Sequence, residues 1–500
     1  MTKGVIATPH RLASEAGASI LRDGGNAIDA VIAADAVLCV VYPSMTSVAG
    51  DLMAIVWPAG AAAPVGLVGA GRSGELATIE TVRSRGHSEM PVRGVLTVTV
   101  PGTVEAWGRL LERFGTFGFG AVLEPAAALA RDGYVITPQL SRFLMDAADL
   151  LGREPAAQAL YPPMEAGMLL RNPDLASVLQ SIGRGGIGGF YRGEVAAEIA
   201  AAIKRRDGLV TAGDLAAHRS QWVDPVEVAY RDLVVYELPP PTQGLAAAAM
   251  LARLNTVPSR DLRPGIDFIE PFKRARDAAY GLRDRYVTDP DFAHVPFAPF
   301  LDPGHAAPQA AASLEGGDTV YMCAADGHGN VVSLIQSVAF DFGSGIVAEG
   351  TGMLLQNRGS YFSLDPNHVN RLEPRKRTMH TLIPAMASKH GRPWAAFGSM
   401  GGDGQPQLQA QVLVNLVDFG LEPAEAVARP RIRILADGVT VSVEADYPGA
   451  GELSHSNWKV ELMPPKHHLF GHAHSIVIDG PSRWRAGADP RSDGSVEFAL

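Results

Sequence analysis

The 500-residue chain is 47% hydrophobic and 19% charged, which supplies a large folded core and excludes an intrinsically disordered protein. Its 43 basic and 53 acidic side chains give a formal net charge of −10, which argues against nucleic-acid and anionic-membrane partners. At about 150 residues per domain, the length allows about three domains or one large α/β unit.

The two cysteines, Cys39 and Cys323, lie in apolar segments and form no CxxC pair. This spacing predicts buried, inert thiols rather than a disulfide scaffold or a zinc site. The first residues lack the apolar segment of a signal peptide, and apolar runs such as 36–42 are too short to span a bilayer. We therefore expect a soluble protein of a reducing compartment, located in the cytoplasm.

Helical patterns dominate the first 300 residues. A helix over 14–23 stops at Gly24-Gly25, and a helix that is apolar on most faces follows over 26–41. The pattern predicts strands at 52–57, 64–68, 226–230 and 233–236. It predicts further helices at 75–84, 104–114, 121–131, 196–205, 245–254 and 268–286.

The composition changes near residue 297. Residues 297–318 are rich in Pro, Gly and Ala and show no periodicity, which predicts a linker or loop. A predicted strand at 319–325, a turn cluster at 326–330 and a second strand at 331–338 then form a hairpin. Further strands are expected at 395–397, 440–443 and 475–478.

The segment from Gly69 to Gly74 matches the GxGxxG pattern of dinucleotide-binding folds. We interpret it as a Gly-rich turn, because the preceding strand belongs to an antiparallel hairpin and no second mononucleotide half follows. An oxidoreductase built on this segment is kept as a rival hypothesis, which a bound cofactor's absorbance would support.

Four histidines cluster near the C-terminus, at His467, His468, His472 and His474. Neither a carboxylate nor a cysteine lies among them, and no HExxH helix is present. We interpret the cluster as a solvated loop and strand end, and we expect no bound metal.

The hairpin that begins at Thr319 allows a specific chemistry. A Thr hydroxyl is a poor nucleophile unless a base takes its proton. Cleavage of the chain before Thr319 would free an α-amine with a pKa of roughly 7.7–8, which could act as that base. With the turn at 327–330, Ser337 lies across from Thr319 and could hydrogen-bond its hydroxyl or amine.

A second Gly-rich segment, 398–407, follows a predicted strand. Consecutive glycines let backbone N–H groups approach a ligand closely. Two such donors are what the oxyanion of an acyl transfer requires.

Together these motifs resemble the gamma-glutamyltranspeptidase family of N-terminal-nucleophile hydrolases, over nearly the whole chain. The matching segments fall in the family's order. They are 24–30, 100–102, 190–193, 225–231, 239–244, 318–319, 329–330, 342–345, 357–359, 398–402 and 489–491.

The resemblance implies an α+β fold, a four-layer αββα sandwich, and a proenzyme that cuts itself between Asp318 and Thr319. The products would be a large chain, 1–318, and a small chain, 319–500, that stay together as one αβ unit. Thr319 matches the nucleophile and Ser337 the hydroxyl that supports it, while Gly401 and Gly402 match the oxyanion pair.

Other positions depart from the transpeptidase pattern. Val320 replaces the family's second Thr, and Ala339 stands where transpeptidases place Asn. A cation at Arg358 would repel an α-ammonium and favour a substrate carboxylate, unless it pairs with an acidic neighbour such as Asp341. The residues at the family's substrate-binding positions are Arg358, Tyr361, His380 and Thr381.

These departures bring the chain closer to the oxamate amidohydrolase branch, and cephalosporin acylases are a further alternative. All three options are amide hydrolases or acyltransferases that need neither metal nor organic cofactor. The expected partners are a small-molecule amide and the two chains of one precursor, with a dimer of αβ units left open. A non-catalytic relative that is never cut is the distant alternative.

Overall fold

The structure, a computed structural model, describes residues 3–310, 316–453 and 458–500. Its strands in these ranges are β1 (Gly4–Thr8), β2 (Asp51–Trp57), β3 (Val65–Gly69), β4 (Tyr134–Val135), β5 (Leu169–Leu170), β6 (Gln221–Val223), β7 (Val226–Tyr230), β8 (Leu233–Glu237), β9 (Asp318–Asp326), β10 (Val331–Ala339), β11 (Val347–Ala348), β12 (Met353–Leu354), β13 (Ala385–Lys389), β14 (Arg392–Ser399), β15 (Ile432–Ile434), β16 (Thr440–Glu444), β17 (Lys459–Met463), β18 (Ala473–Gly480), β19 (Arg483–Ala488) and β20 (Ser495–Ala499).

The α-helices in the same ranges are α1 (Arg11–Arg22), α2 (Ala27–Val41), α3 (Ile79–Arg83), α4 (Thr103–Phe114), α5 (Phe119–Asp132), α6 (Pro138–Asp146), α7 (Ala148–Leu151), α8 (Pro155–Leu160), α9 (Pro173–Gly185), α10 (Gly188–Tyr191), α11 (Gly193–Arg205), α12 (Ala212–Ala217), α13 (Gly244–Leu254), α14 (Ile266–Tyr286), α15 (Ala298–Leu301), α16 (Gln405–Val417), α17 (Pro423–Ala428) and α18 (Ala450–Leu453).

Two antiparallel sheets form the middle of the molecule. The first has the strand order β20-β1-β9-β10-β2-β3-β6, and the second has the order β19-β18-β14-β13-β8-β7. The predicted hairpin is the β9–β10 pair, which lies in the centre of the first sheet. The first residues of β9 and the last residues of β10 therefore meet at one end of this sheet.

The side chains of β9 alternate between two apolar layers, and this alternation explains why the two sheets stack. Val320 and Met322 pack with the N-terminal helices, while Tyr321 and Cys323 pack against residues of the second sheet such as Met386. A strand buried on both faces needs an apolar layer on each side. The first sheet therefore lies between a helical layer and the second sheet.

The outer layers are helical. Residues of α1, α2, α4, α5 and α9 share one core with the first sheet, and residues of α13, α14 and α16 share another with the second sheet. The order of layers is helix, sheet, sheet, helix. The predicted αββα sandwich is confirmed.

Local capping explains where several helices begin. The side chain of Asn26 accepts hydrogen bonds from Ile28 and Asp29, so the predicted apolar helix begins at Ala27. The helix expected at 75–84 begins only at Ile79, because the side chain of Thr78 caps it there. Part of the predicted linker, 311–315, lies outside the described residues.

The GxGxxG segment is a tightly packed turn. It follows β3, which pairs antiparallel with β2, and the next helix begins only at Ile79. A Cβ atom added at Gly71 would lie 1.5 Å from Val100 O, and one added at Gly74 would lie 1.9 Å from Leu209 O. These glycines are needed for close backbone packing, which favours the turn interpretation over a dinucleotide site.

The expectation that the C-terminal histidines are solvated is wrong for two of them. His472 and His474 are buried, because His474 lies in β18 of the second sheet and His472 directly precedes that strand. Burial lowers the pKa of His472 to about 3 and that of His474 to about 4. Among the described residues, no group of three or more His, Cys, Asp or Glu side chains could hold a metal.

Two other expectations concern the cysteines and the membrane. Cys39 and Cys323 are both buried and free, as predicted. Within residues 3–310, 316–453 and 458–500, every helix is too short or too polar to cross a bilayer.

Candidate active site

Thr319 is the second residue of β9, and it lies at the end of the first sheet. It is 1% exposed, and its side chain is on the same side of the strand as Tyr321 and Cys323, between the two sheets. Its Oγ1 atom has no hydrogen-bond partner. Several other buried hydroxyls of the described residues also lack a partner, so it is the position of Thr319 beside Ser337 and the paired glycines that distinguishes it.

Ser337 lies beside Thr319, as the hairpin register predicts. The register pairs Val320 with Gln336 and, across a bulge, Asp318 with Ala339. Ser337 Oγ donates to Asp318 O at 2.6 Å and accepts from Ala339 N at 2.7 Å. The Ser337 hydroxyl therefore binds the carbonyl that precedes Thr319, rather than the Thr319 hydroxyl.

Gly401 and Gly402 form a turn directly after β14. Their φ values of 137° and 52° lie in the region that favours glycine. A Cβ atom added at Gly402 would lie 2.1 Å from Gly316 O. The chain that leads to Thr319 thus runs directly over this pair of glycines.

Gly317 places the same segment against both Gly402 and the Tyr361 side chain. A Cβ atom added here would lie 2.8 Å from Gly402 Cα and 3.3 Å from the Tyr361 hydroxyl. The φ value of Gly317 is 111°, which also excludes most side chains. The residues before Thr319 therefore cover both the paired glycines and Tyr361.

Arg358 is fully buried near these residues. Its Nη1 atom donates to Thr381 Oγ1 at 2.9 Å, and its guanidinium carbon lies 5.2 Å from the centre of the Tyr361 ring. Its Nε and Nη2 atoms have no partner. Asp341 forms its ion pair with Arg93 rather than with Arg358.

The geometry of Arg358 leaves one donor edge open. Nε and Nη2 lie on the same edge of the guanidinium and can bind both oxygens of one carboxylate. Burial lowers the pKa of Arg358, but a guanidinium stays protonated in proteins. The pocket therefore contains a buried positive charge with two free N–H donors.

His380 uses both of its ring nitrogens within the protein. Its Nε2 atom lies 3.1 Å from Asp51 Oδ2, and its Nδ1 atom accepts from Leu382 N at 3.4 Å. Burial, with a smaller effect of nearby Arg358, lowers the pKa of His380 to about 4. The ring is neutral at pH 7, with the proton on Nε2, where it is donated to Asp51.

Asp51 connects this histidine to β10, the strand that carries Ser337. It is the first residue of β2, where it lies opposite Ser337 in the sheet. It also accepts from Gly71 N at 2.9 Å and from Gln356 Nε2 at 3.1 Å. Three donors therefore hold this buried carboxylate in place.

Comparison with known proteins agrees with this arrangement. The profile described as Gamma-glutamyltranspeptidase matches residues 13–499. The chain belongs to the gamma-glutamyltranspeptidase family. It is thus an N-terminal-nucleophile enzyme, a hydrolase or acyltransferase.

Several members of this family resemble the chain over almost its full length. The glutathione hydrolase-like YwrD proenzyme of Bacillus subtilis is 36% identical, with 99% of this chain and 98% of the relative covered. The oxamate amidohydrolase proenzyme of Klebsiella pneumoniae is 34% identical over 99% of this chain and 98% of that protein. The crystal structure of cephalosporin acylase from Bacillus halodurans superimposes with a TM-score of 0.91 at 36% identity, covering 99% and 96% of the two chains.

The structure also identifies residues near the site that the sequence did not single out. Asp51 carries no motif and is found only through its contacts with His380. Gln243 lies in a segment shared with the transpeptidase family, but nothing in the sequence indicates that its amide contacts Gly402 O at 3.0 Å. Long-range contacts of this kind have no local sequence signal.

Proposed function

We propose that the chain cuts itself between Asp318 and Thr319, and that Thr319 then hydrolyses a small amide whose acyl part carries a carboxylate. The observation that carries this proposal is the buried, unpartnered Thr319 hydroxyl beside a carbonyl that Ser337 holds. The glycine pair Gly401 and Gly402 lies under the segment that leads to this bond.

Processing begins with attack of Thr319 Oγ1 on the carbonyl carbon of Asp318. The C–N bond to Thr319 breaks as the C–O bond forms, so the acyl group moves from nitrogen to oxygen and the amine is freed. The Ser337 hydroxyl, which donates to Asp318 O, polarises this carbonyl for attack. Water then hydrolyses the ester and releases Asp318 as a new C-terminal carboxylate.

Turnover uses the same atoms on an external amide. The free α-amine of Thr319 takes the hydroxyl proton as Oγ1 attacks the substrate carbonyl. The N–H groups of Gly401 and Gly402 stabilise the oxyanion, and the leaving amine departs with the proton. Water, or an acceptor amine, then releases the acyl group from Thr319.

Arg358 defines the substrate class. Its open Nε and Nη2 edge fits a carboxylate, whereas an α-ammonium offers no acceptor for these donors. The Thr381 hydroxyl holds the other end of the guanidinium, and Tyr361 provides one wall. His380 contributes as a neutral side chain that is fixed on Asp51.

The proposed substrate is therefore an oxamate-like or dicarboxylic half-amide without an amino group near the carboxylate. The name of the Klebsiella oxamate amidohydrolase agrees with this class. A γ-glutamyl amide is the alternative substrate, and its α-ammonium would lie in the field of Arg358.

Cleavage is tested by denaturing mass spectrometry of freshly purified protein. We expect two fragments in place of the 52.8 kDa chain, and N-terminal sequencing of the smaller one should read Thr-Val-Tyr-Met. Thr319→Ala should stay uncut and inactive, because it lacks the hydroxyl that both steps need. A wild-type chain that stays uncut yet hydrolyses amides would contradict the proposal.

The substrate class is tested with a matched pair of anilides. Wild type should have a higher kcat/KM for a glutaryl anilide than for the γ-glutamyl anilide, which differs only by the amino group. Arg358→Gln should lose about 10- to 100-fold on the glutaryl compound, the effect of about 1.4–2.8 kcal/mol expected for a charged hydrogen-bonded contact.

The control for Arg358→Gln is Arg485→Gln, which removes an exposed arginine paired with Asp479. It should leave both kcat/KM values unchanged. A clear preference of wild type for the γ-glutamyl anilide, or no effect of Arg358→Gln on either compound, would contradict the carboxylate site.

We also propose a cytoplasmic location and leave pairing of αβ units open. The two free thiols, Cys39 and Cys323, agree with a reducing compartment. Cell fractionation tests the location, and light scattering of the purified protein tests the assembly.

A further inference from the structure

Three successive peptide units that run through the paired glycines are each held by their carbonyl oxygens. Ser399 Oγ donates to Met400 O at 2.8 Å, and Gly404 N donates to Gly401 O at 2.9 Å. Gln243 Nε2 donates to Gly402 O at 3.0 Å. Each contact fixes one peptide plane from the side opposite to its N–H group.

This pattern matters because the peptide unit is planar. Met400 O and Gly401 N–H belong to one plane, so the hydroxyl of Ser399 also fixes the direction of the Gly401 donor. The Gly404 contact fixes the Gly402 donor in the same way. Glycines alone would leave both planes free to rotate, since they have the widest choice of backbone angles.

The Ser399 contact also acts on the strength of the Gly401 donor. A hydrogen bond to a carbonyl oxygen polarises the peptide unit and strengthens the N–H at its other end. Ser399 is fully buried, so its hydroxyl has no water to compete with this contact. Gly471 packs against it, because a Cβ atom added at Gly471 would lie 2.4 Å from both Ser399 Oγ and Met400 O.

Gln243 is itself held in place. Arg283 Nη1 donates to Gln243 Oε1 at 3.0 Å and also pairs with Asp403, the residue after Gly402. The second amide hydrogen of Gln243 is donated to Thr381 O at 3.0 Å. One buried amide therefore connects the glycine turn to the residue whose hydroxyl holds Arg358.

We propose that Ser399 is a positioning residue for the oxyanion site, and that Gln243 fixes the following peptide unit. The Ser399 hydroxyl orients the Gly401 N–H toward the developing oxyanion without touching the substrate. This inference rests on the proposed function, because it assigns Gly401 and Gly402 to the oxyanion. It concerns the transition state and leaves substrate binding at Arg358 unchanged.

The test compares Ser399→Ala with Ser14→Ala. Ser14 is a buried serine in α1 whose Oγ donates to Ser495 O at 2.9 Å, so the same group is removed from a similar environment. With glutaryl p-nitroanilide, Ser399→Ala should lower kcat by about 10- to 100-fold and change KM by less than about threefold. Values are normalised to the processed fraction measured by mass spectrometry.

Inhibitors separate positioning from a general structural effect. 4-Boronobutanoic acid forms a tetrahedral adduct with a hydroxyl nucleophile, whereas glutarate, the product, forms none. The inhibition constant of the boronate should rise in Ser399→Ala by the same factor by which kcat falls. The inhibition constant of glutarate should stay at the wild-type value, because Arg358 still binds the carboxylate.

A second variant, Gln243→Met, removes the amide at nearly constant volume and should lower kcat by a smaller factor than Ser399→Ala does. If Ser399→Ala is folded but uncut, its processing half-life replaces kcat, and slowing of at least about tenfold relative to Ser14→Ala is expected.

The inference is overturned if Ser399→Ala behaves like Ser14→Ala, or if its glutarate affinity falls together with kcat. A much lower melting temperature than that of Ser14→Ala would also overturn it, by assigning Ser399 to stability. A wild-type protein that is uncut or inactive on the anilide would instead contradict the proposed function itself.

Discussion

At the scale of single residues, the site combines side chains whose hydrogen-bonding groups all have partners with side chains that have groups without a partner. Ser337 and Asp51 have their hydrogen-bonding groups occupied, whereas Thr319 Oγ1 and two nitrogens of Arg358 do not. Unpartnered buried donors and acceptors cost stability. Within this site, the unpartnered atoms are those that the proposed acyl transfer and carboxylate binding would use.

Ser337→Ala tests the role of the residue that contacts the bond to be cut. We expect slower processing, because the 2.6 Å contact to Asp318 O is lost. We also expect slower turnover, because after cleavage the Ser337 hydroxyl can bind the Thr319 hydroxyl or amine instead. The loss should be worth about 0.5–1.5 kcal/mol, which corresponds to roughly 2- to 12-fold in rate. Time courses of fragment formation by mass spectrometry and anilide kinetics measure the two effects.

The matched control for this variant is Ser333→Ala, four residues earlier on β10. Ser333 Oγ contacts the Tyr321 hydroxyl at 2.8 Å, away from the bond to be cut. It should be processed at the wild-type rate. Unchanged kinetics of Ser337→Ala would remove Ser337 from the mechanism.

Sequence reasoning located the candidate nucleophile and its neighbour because both depend on local rules. The position of Ser337 beside Thr319 follows from hairpin register, which a short turn fixes. The Asp51–His380 pair joins residues 329 positions apart, and no local pattern specifies such a contact. The roles assigned to Arg358, Tyr361 and Thr381 stay predictions.

At the scale of secondary structure elements, strands with apolar alternation were predictable, while α16 was not. This helix carries buried glutamines, which in a sequence resemble a solvent-exposed surface. Gln407 Nε2 donates to Ile434 O at 2.9 Å and Gln407 Oε1 accepts from Ile434 N at 2.9 Å. Gln411 makes the same pair of contacts with Ile432. The two side-chain amides therefore hydrogen-bond the backbone at the edge of β15, as a neighbouring strand would.

The segment that precedes β9 gives a prediction at this scale. Gly317→Ala should slow processing strongly, because its Cβ atom would lie 2.8 Å from Gly402 Cα at a φ value of 111°. Once the chain is cut, the segment no longer has to lie over Gly402. The processed fraction of Gly317→Ala should therefore turn over the anilide at the wild-type kcat.

Gly304→Ala is the control for this effect. A Cβ atom added at Gly304 would lie 3.5 Å from Asp302 Oδ1, which is ordinary contact. Its processing should match wild type. A normal processing rate in Gly317→Ala would mean that the segment reaches the reactive geometry by another path.

At the scale of the whole molecule, five buried histidines and the half-buried His468 are neutral and make stability depend on pH. Burial is the main cause in every case, and it lowers the pKa to about 3 for one histidine and to about 4 for the other five. They lie in both halves of the chain, at His10, His218, His380, His468, His472 and His474.

The sign of the pH effect follows from proton uptake. An unfolded histidine binds a proton below a pKa of about 6.5, whereas these folded side chains stay neutral until about pH 4. Between these values the unfolded state holds more protons, so the free energy of unfolding falls as pH decreases. Each such histidine contributes up to about 1.4 kcal/mol per pH unit in this window.

We therefore expect the melting temperature to fall between pH 7.5 and pH 5, because the six histidines outnumber the buried carboxyls Asp35, Glu237 and Asp318, whose raised pKa values act in the opposite direction. Differential scanning calorimetry at several pH values measures this, with Thr319→Ala as the sample so that self-cleavage does not change during the series. His474→Phe should flatten the slope, because it removes a buried titrating group from a site where both ring nitrogens lack partners. His328→Phe, at an exposed position, should leave the slope unchanged. A melting temperature that stays constant from pH 7.5 to pH 5 would mean that the buried histidines keep access to solvent protons in the folded protein.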